Sequence, residues 1–107
     1  MPNREMGLKD LYETLPKLGK NDVILDVRGQ DEYQSGHIPG ALNIPVTEVA
    51  NHAQELSKYE TVYIHCKRGG RAKTAFAALS QAGLNNLVCV GDAGMDAWIE
   101  NGYPVER

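Results

Sequence analysis

Residues Cys66 to Lys73 gather the densest chemistry in the chain. They combine one thiol, the glycine pair Gly69-Gly70, and four cations within seven residues: Lys67, Arg68, Arg71 and Lys73. A cysteine attacks as its thiolate, and the thiolate is favoured by cations and by backbone N–H groups turned toward the sulfur. Glycines permit the backbone angles that turn successive N–H groups inward, and the start of a following helix adds unpaired donors of its own. The chemistry written here is nucleophilic attack by Cys66 on an anionic substrate, with Lys67, Arg68, Gly69, Gly70 and Arg71 binding the anion. No general base is required. His65 is adjacent to the cysteine, but neighbouring residues of a strand point to opposite faces, so its imidazole is expected to turn away from the sulfur. His37 and His52 stand at no spacing that pairs them with Cys66.

The elements that must hold this stretch are legible on either side of it. The run Thr61 to Ile64 reads as a strand, and Ala72, Ala75, Phe76 and Leu79 mark one face of a helix that Gly83 ends. Upstream, Leu8, Leu11, Tyr12 and Leu15 have helical spacing, with Pro16 as the expected stop. Val23-Ile24-Leu25, closed by Asp26, is a continuous apolar run of the kind that parallel strands show when both faces are buried. Gln30 to Ser35 reads as a short helical turn stopped by Gly36. Gly36 to Ala41 reads as a rigid loop, Leu42 to Ile44 as a very short strand, and Val46, Val49, Ala50, Ala53 and Leu56 as another helical face. Leu87 to Val90 is a last buried strand, and Met95, Trp98 and Ile99 mark a final helix with Gly102 just past its end. Strands alternating with helices make an α/β fold around a parallel sheet covered on both faces.

The strand closed by Asp26 leaves the sheet at its carboxyl edge, where open α/β sheets bind ligands. Asp26, Arg28 and Glu32 should therefore approach the Cys66 loop as a structural support, with Arg28 and Glu32 paired across one helical turn.

Composition narrows the function classes. The 107 residues are expected to form one domain, residues 1–107, with 42% hydrophobic residues and a formal net charge of −3. Positive charge confined to one loop of an acidic chain argues against a nucleic-acid binder. No apolar run approaches a membrane-spanning length and no apolar signal core follows the first residues, so a cytoplasmic protein with no membrane partner is expected. Two cysteines are too few for a disulfide framework, and neither has a second ligand at metal-binding spacing, so neither metal nor cofactor is expected. Cys89, inside Leu87-Val88-Cys89-Val90, reads as an inert core residue.

Several motifs together resemble a single-domain rhodanese, the thiosulfate sulfurtransferase family. They are Asp26-Val27-Arg28 followed by Glu32-Tyr33, Gly36-His37-Ile38-Pro39-Gly40-Ala41 with Asn43, Cys66-Lys67-Arg68-Gly69-Gly70-Arg71-Ala72, and Ala97-Trp98 with Gly102-Tyr103-Pro104-Val105. The resemblance implies a five-stranded parallel sheet between helices, with Cys66 as the sulfur carrier cradled by the backbone from Lys67 to Arg71. It implies that a small anionic sulfur donor such as thiosulfate loads Cys66 as a persulfide, which then passes sulfur to cyanide or a protein thiol. An alternative of another class is a persulfide-carrying or regulatory module with little free turnover. Two positions depart from the family pattern: Ala72 stands where a serine or threonine is common, and Ala93-Gly94 stands where Gly-Gly is usual. A third reading, a phosphatase or arsenate reductase, meets a loop with four residues between Cys66 and Arg71, one fewer than the C-x5-R of tyrosine phosphatases. No acid for the leaving alkoxide is evident.

Overall fold

Side chains alternate across the strands so regularly that two apolar layers are built at once. The structure is a computed structural model, and it describes residues 3–107. Five parallel strands, β1 (Arg4–Met6), β2 (Asp22–Asp26), β3 (Leu42–Asn43), β4 (Thr61–His65) and β5 (Leu87–Val90), lie in the order β1-β5-β4-β2-β3. Val23, Leu25, Val62, Ile64, Leu87 and Cys89 face one side. There they pack on Val49 and on residues of α3 (Ala53–Leu56) and α4 (Gly70–Gln81). Ile24, Tyr63, Val88 and Val90 face the other side, against Leu8 and Leu11 of α1 (Leu8–Thr14) and Met95 and Trp98 of α5 (Met95–Glu100). The remaining helix, α2 (Gln30–Ser35), adds Tyr33 to this second layer. The period-2 alternation thus places Ile64 and His65 on opposite faces.

The site follows from the strand order. From β2 the chain moves outward to β3, whereas from β4 it moves the opposite way, to β5 and its neighbour β1. Loops leaving β2 and β4 therefore diverge, and a crevice opens at the carboxyl ends of this central pair, as at the switch points of other open α/β sheets. Asp26-Val27-Arg28 leaves β2 there and Cys66 leaves β4 there, since the register sets Asp26 opposite His65.

Three elements differ from the sequence expectation. Strand β1 carries no apolar alternation; it is an edge strand held by backbone pairing to β5. The side chain of Asn3, just before it, donates to the Leu84 carbonyl at 2.9 Å and accepts from the Leu87 N–H at 2.9 Å. Pro16 does not stop the first helix abruptly, because a 3-10 turn over Leu15–Lys17 accommodates it at the first turn, where the missing N–H costs little. The helix expected from Val46 shrinks to a 3-10 turn, Val49–His52, followed by the four residues of α3. Val46 instead donates its N–H to the carbonyl of Val27, prolonging the β2 edge. Among the described residues no helix is long and apolar enough to cross a membrane.

Candidate active site

Strand β4 ends by delivering Cys66 into the crevice, and the chain then wraps around its sulfur. The N–H groups of Gly69 and Ala72 both point at Sγ, at 3.0 and 3.2 Å. Cys66 is buried, yet it lines an open cleft of about 630 Å³ with Lys67, Arg68, Gly70, Arg71 and Thr74. The cleft wall carries three cations and no carboxylate. Thr74, one turn into α4, is the lining residue that sequence reasoning missed; nothing in its local pattern marks it.

The two loop glycines have separate functions. Gly69 takes a left-handed conformation, φ +112°, and a Cβ there would run into the Gly91 carbonyl. Gly70 has ordinary φ and open space where a Cβ would stand. A second close approach occurs at Gly94, where a Cβ would collide with the Cys66 carbonyl. Ala93-Gly94 therefore keeps its glycine where the site demands one, while Ala93 packs on the α1/α5 layer. Ala72 turns its methyl into the apolar layer and gives its backbone N–H to the sulfur.

Of the expected supporting cluster, Glu32 reaches the loop, through Arg71, and the pairing within the cluster is different. Arg28 forks onto Asp26, with Nε 3.0 Å from Oδ1 and Nη2 2.7 Å from Oδ2, and also reaches the Gly36 carbonyl. The expected Arg28–Glu32 pair does not form. Helix α2 begins only at Gln30, so the two side chains never share one helical face. Glu32 instead forks onto Arg71, with Oε1 and Oε2 at 2.6 and 2.9 Å from the two Nη atoms. It thereby clamps the far end of the Cys66 loop to α2, and it also accepts the N–H of Gly29.

The Arg71 hydrogen bonds above all, and then the Gly29 N–H, hold the Glu32 carboxyl down at about 2 against the upward pull of burial. A carboxyl lowered on folding stabilises the fold above its ordinary value of 4.5, and that contribution is lost as pH falls from 4.5 through 2. Glu32→Gln should accordingly show a smaller fall in Tm between pH 5 and pH 2 than the wild type, by thermal melts over that range. Parallel curves would remove the clamp from the stability balance.

His65 is fully buried with Nδ1 3.4 Å from the carbonyl oxygen of Cys66, not from its sulfur. Its Nε2 has no hydrogen-bond partner and lies 3.9 Å from Asp26. Burial pushes its pKa down despite the nearby carboxylate. His37 binds the Tyr33 carbonyl and Glu106, and His52 binds Glu55.

Cys89 lies in the same apolar layer as Cys66, and burial foremost pushes its thiol up to about 11. It should alkylate far more slowly than Cys66 at pH 8, followed peptide by peptide with iodoacetamide on folded protein. Equal rates would show that Cys89 is not closed off.

Comparison with known proteins places the whole sheet and its helices in one family. The family profile described as the rhodanese-like domain matches residues 8–101. The chain belongs to the rhodanese-like domain family. It is 39% identical over 75 residues to the putative sulfur carrier protein YrkF of Bacillus subtilis, covering 70% of this chain and 40% of that one. It is 31% identical over 89 residues to the thiosulfate sulfurtransferase GlpE of Pseudoalteromonas translucida, covering 82% and 84%. Among solved structures, a rhodanese-related protein of Thermoplasma volcanium superposes with a TM-score of 0.81 at 37% identity, covering 96% of this chain and 97% of the other. This rhodanese-like domain thus spans well under half of YrkF and most of GlpE.

Proposed function

We propose that this rhodanese-like domain is a sulfurtransferase that carries a sulfane sulfur on Cys66. One observation carries the reading: a sulfur atom held by two backbone N–H groups at the base of a cleft whose charged lining is wholly cationic. The Cys66 thiolate attacks the outer sulfur of a small anionic donor, thiosulfate in the simplest case. The donor's S–S bond breaks, its electron pair leaves with sulfite, and Cys66 becomes a persulfide. A thiophilic acceptor, cyanide or a protein thiol, attacks the terminal sulfur, and the electron pair of that bond returns to Sγ. In each half the N–H groups of Gly69 and Ala72 steady the charge on Sγ without having to reorganise. Lys67 and Arg68, exposed on the rim, draw the donor in, while Arg71 contributes its charge from a position fixed by Glu32. Asp26 and Arg28 brace the neighbouring strand end. The name of the GlpE relative supports thiosulfate as donor.

That of YrkF favours a second reading, a persulfide carrier with little free turnover. Saturable turnover with thiosulfate and cyanide supports the enzyme, and stoichiometric loading without turnover supports the carrier. Phosphate-ester hydrolysis is disfavoured by the loop of four residues between Cys66 and Arg71, and by the commitment of both Arg71 Nη atoms to Glu32. Mass spectrometry after incubation with thiosulfate should find one added sulfur on the Cys66 peptide, with no phosphate released from an aryl phosphate. Phosphatase turnover without a sulfur adduct would overturn the assignment.

A further inference from the structure

Three cations line the Cys66 cleft, but two of them are already answered by carboxylates that stand outside it. Both Arg71 Nη atoms are taken by Glu32. The Nε–H of Arg68 donates to Oδ2 of Asp96, on α5, at 3.0 Å. Among the described residues no carboxylate pairs with Lys67, so its charge alone is unanswered. The two pairs are not held equally firmly. Glu32 forks onto Arg71 through two hydrogen bonds and also accepts the Gly29 N–H, whereas the exposed Arg68 meets Asp96 through a single one. Arg68 lines both the Cys66 cleft and the neighbouring cleft that Asp96 lines, so its side chain stands between the two. Asp96 is itself anchored to the reactive loop, since its backbone N–H donates to the Lys67 carbonyl at 3.3 Å.

We propose that Asp96 is a specificity-determining residue of the donor step: it holds Arg68 back from the Cys66 cleft and so limits the preference of the site for doubly charged donors. The proposal rests on the sulfur-transfer reading and adds the charge class of the donor to it. With Glu32 and Asp96 in place, the cleft wall offers one unanswered positive charge, for which a monoanionic donor such as a thiosulfonate competes with dianionic thiosulfate. Freed from Asp96, Arg68 brings a second charge to the wall. The dianion then gains more than the monoanion, because Coulomb attraction scales with the charge on the ligand. The chemistry balances for either donor. The Cys66 thiolate attacks the outer sulfur, the donor's S–S bond breaks, and its electron pair leaves with sulfite from thiosulfate or with a sulfinate from a thiosulfonate.

The test follows sulfur loading on Cys66 of the full chain by mass spectrometry at low ionic strength, and compares the second-order rate constants for thiosulfate and for the methanethiosulfonate anion. Asp96→Asn should load about fivefold faster from thiosulfate and about twofold faster from methanethiosulfonate, the scale open to one exposed charge, and both gains should shrink with added salt. In an Arg68→Ala background the same Asp96→Asn change should move either rate by less than about 1.5-fold, because no guanidinium is left to release. Glu100→Gln removes an equal charge from the neighbouring cleft without a bond to Arg68, and should change the thiosulfate rate by less than about twofold. The ratio of the two donors within one preparation does not depend on how much of the protein is folded, so a loss of stability cannot imitate the result. No gain in Asp96→Asn, an equal gain in the Arg68→Ala background, or an equal gain from Glu100→Gln overturns the proposal. Wild type that takes up sulfur from neither donor overturns the parent reading, and the proposal falls with it.

Discussion

Cys66→Ser should keep its fold and lose thiosulfate-dependent sulfur transfer by on the order of 10³-fold or more. The hydroxyl is smaller than the thiol and can accept the same Gly69 and Ala72 N–H groups, so no buried donor is orphaned. An alcohol is, however, scarcely ionised near neutral pH and cannot hold a sulfane sulfur as a persulfide. The loss should therefore appear in loading as well as in turnover. Two measurements together decide it: circular dichroism and Tm near those of wild type, and no sulfur adduct by mass spectrometry. A variant within tenfold of wild-type turnover would show that Cys66 does not carry the sulfur.

Gly69→Ala should be the most damaging single methyl in the site, costing about 3 kcal/mol or more of stability. Two costs add. At φ +112° an L-residue is strained, and the new Cβ collides with the Gly91 carbonyl, which is backbone and cannot rotate aside. Relief by moving the loop would pull the Gly69 N–H off Sγ, so residual folded protein should also transfer sulfur poorly. Gly70→Ala is the matched control. It has ordinary φ and free space, and its stability should stay within about 1 kcal/mol of wild type. Urea melts of both variants make the comparison, and equal losses at the two positions would refute the division of labour between these glycines.

The parts of the fold that could be read from sequence were those with short-range causes. Short continuous apolar runs made β2, β4 and β5 visible, and the cations with the glycine pair marked the Cys66 loop. Strand β1 escaped because an edge strand pairs through its backbone, which no side-chain pattern reports. The partner of Glu32 escaped for a related reason: Arg28 was the nearer cation in sequence, but Arg71, 39 residues away, is the one brought to it by the β2–β4 pairing. Likewise Ala93 looked like a departure beside Gly94, and only the close approach of the Gly94 backbone to Cys66 reveals which glycine of the usual pair matters. The Cys66 cleft depends on such meetings, which is why Thr74 could not be assigned to it from spacing alone.

The seating of α5 on the reactive loop sets a timetable for synthesis. As the chain leaves the ribosome, β2 can find β4 early, and the thiol emerges soon after. The Cys66 carbonyl nevertheless waits for the Met95 N–H, and the Gly69 turn waits for Gly91 to pack against it. Residues made much earlier wait as well, since Asn3 binds Leu87 across a separation of 84. A nascent chain interrupted before these late residues therefore carries the nucleophile without its cradle. The cradle around Sγ is therefore complete only when the sheet is nearly closed.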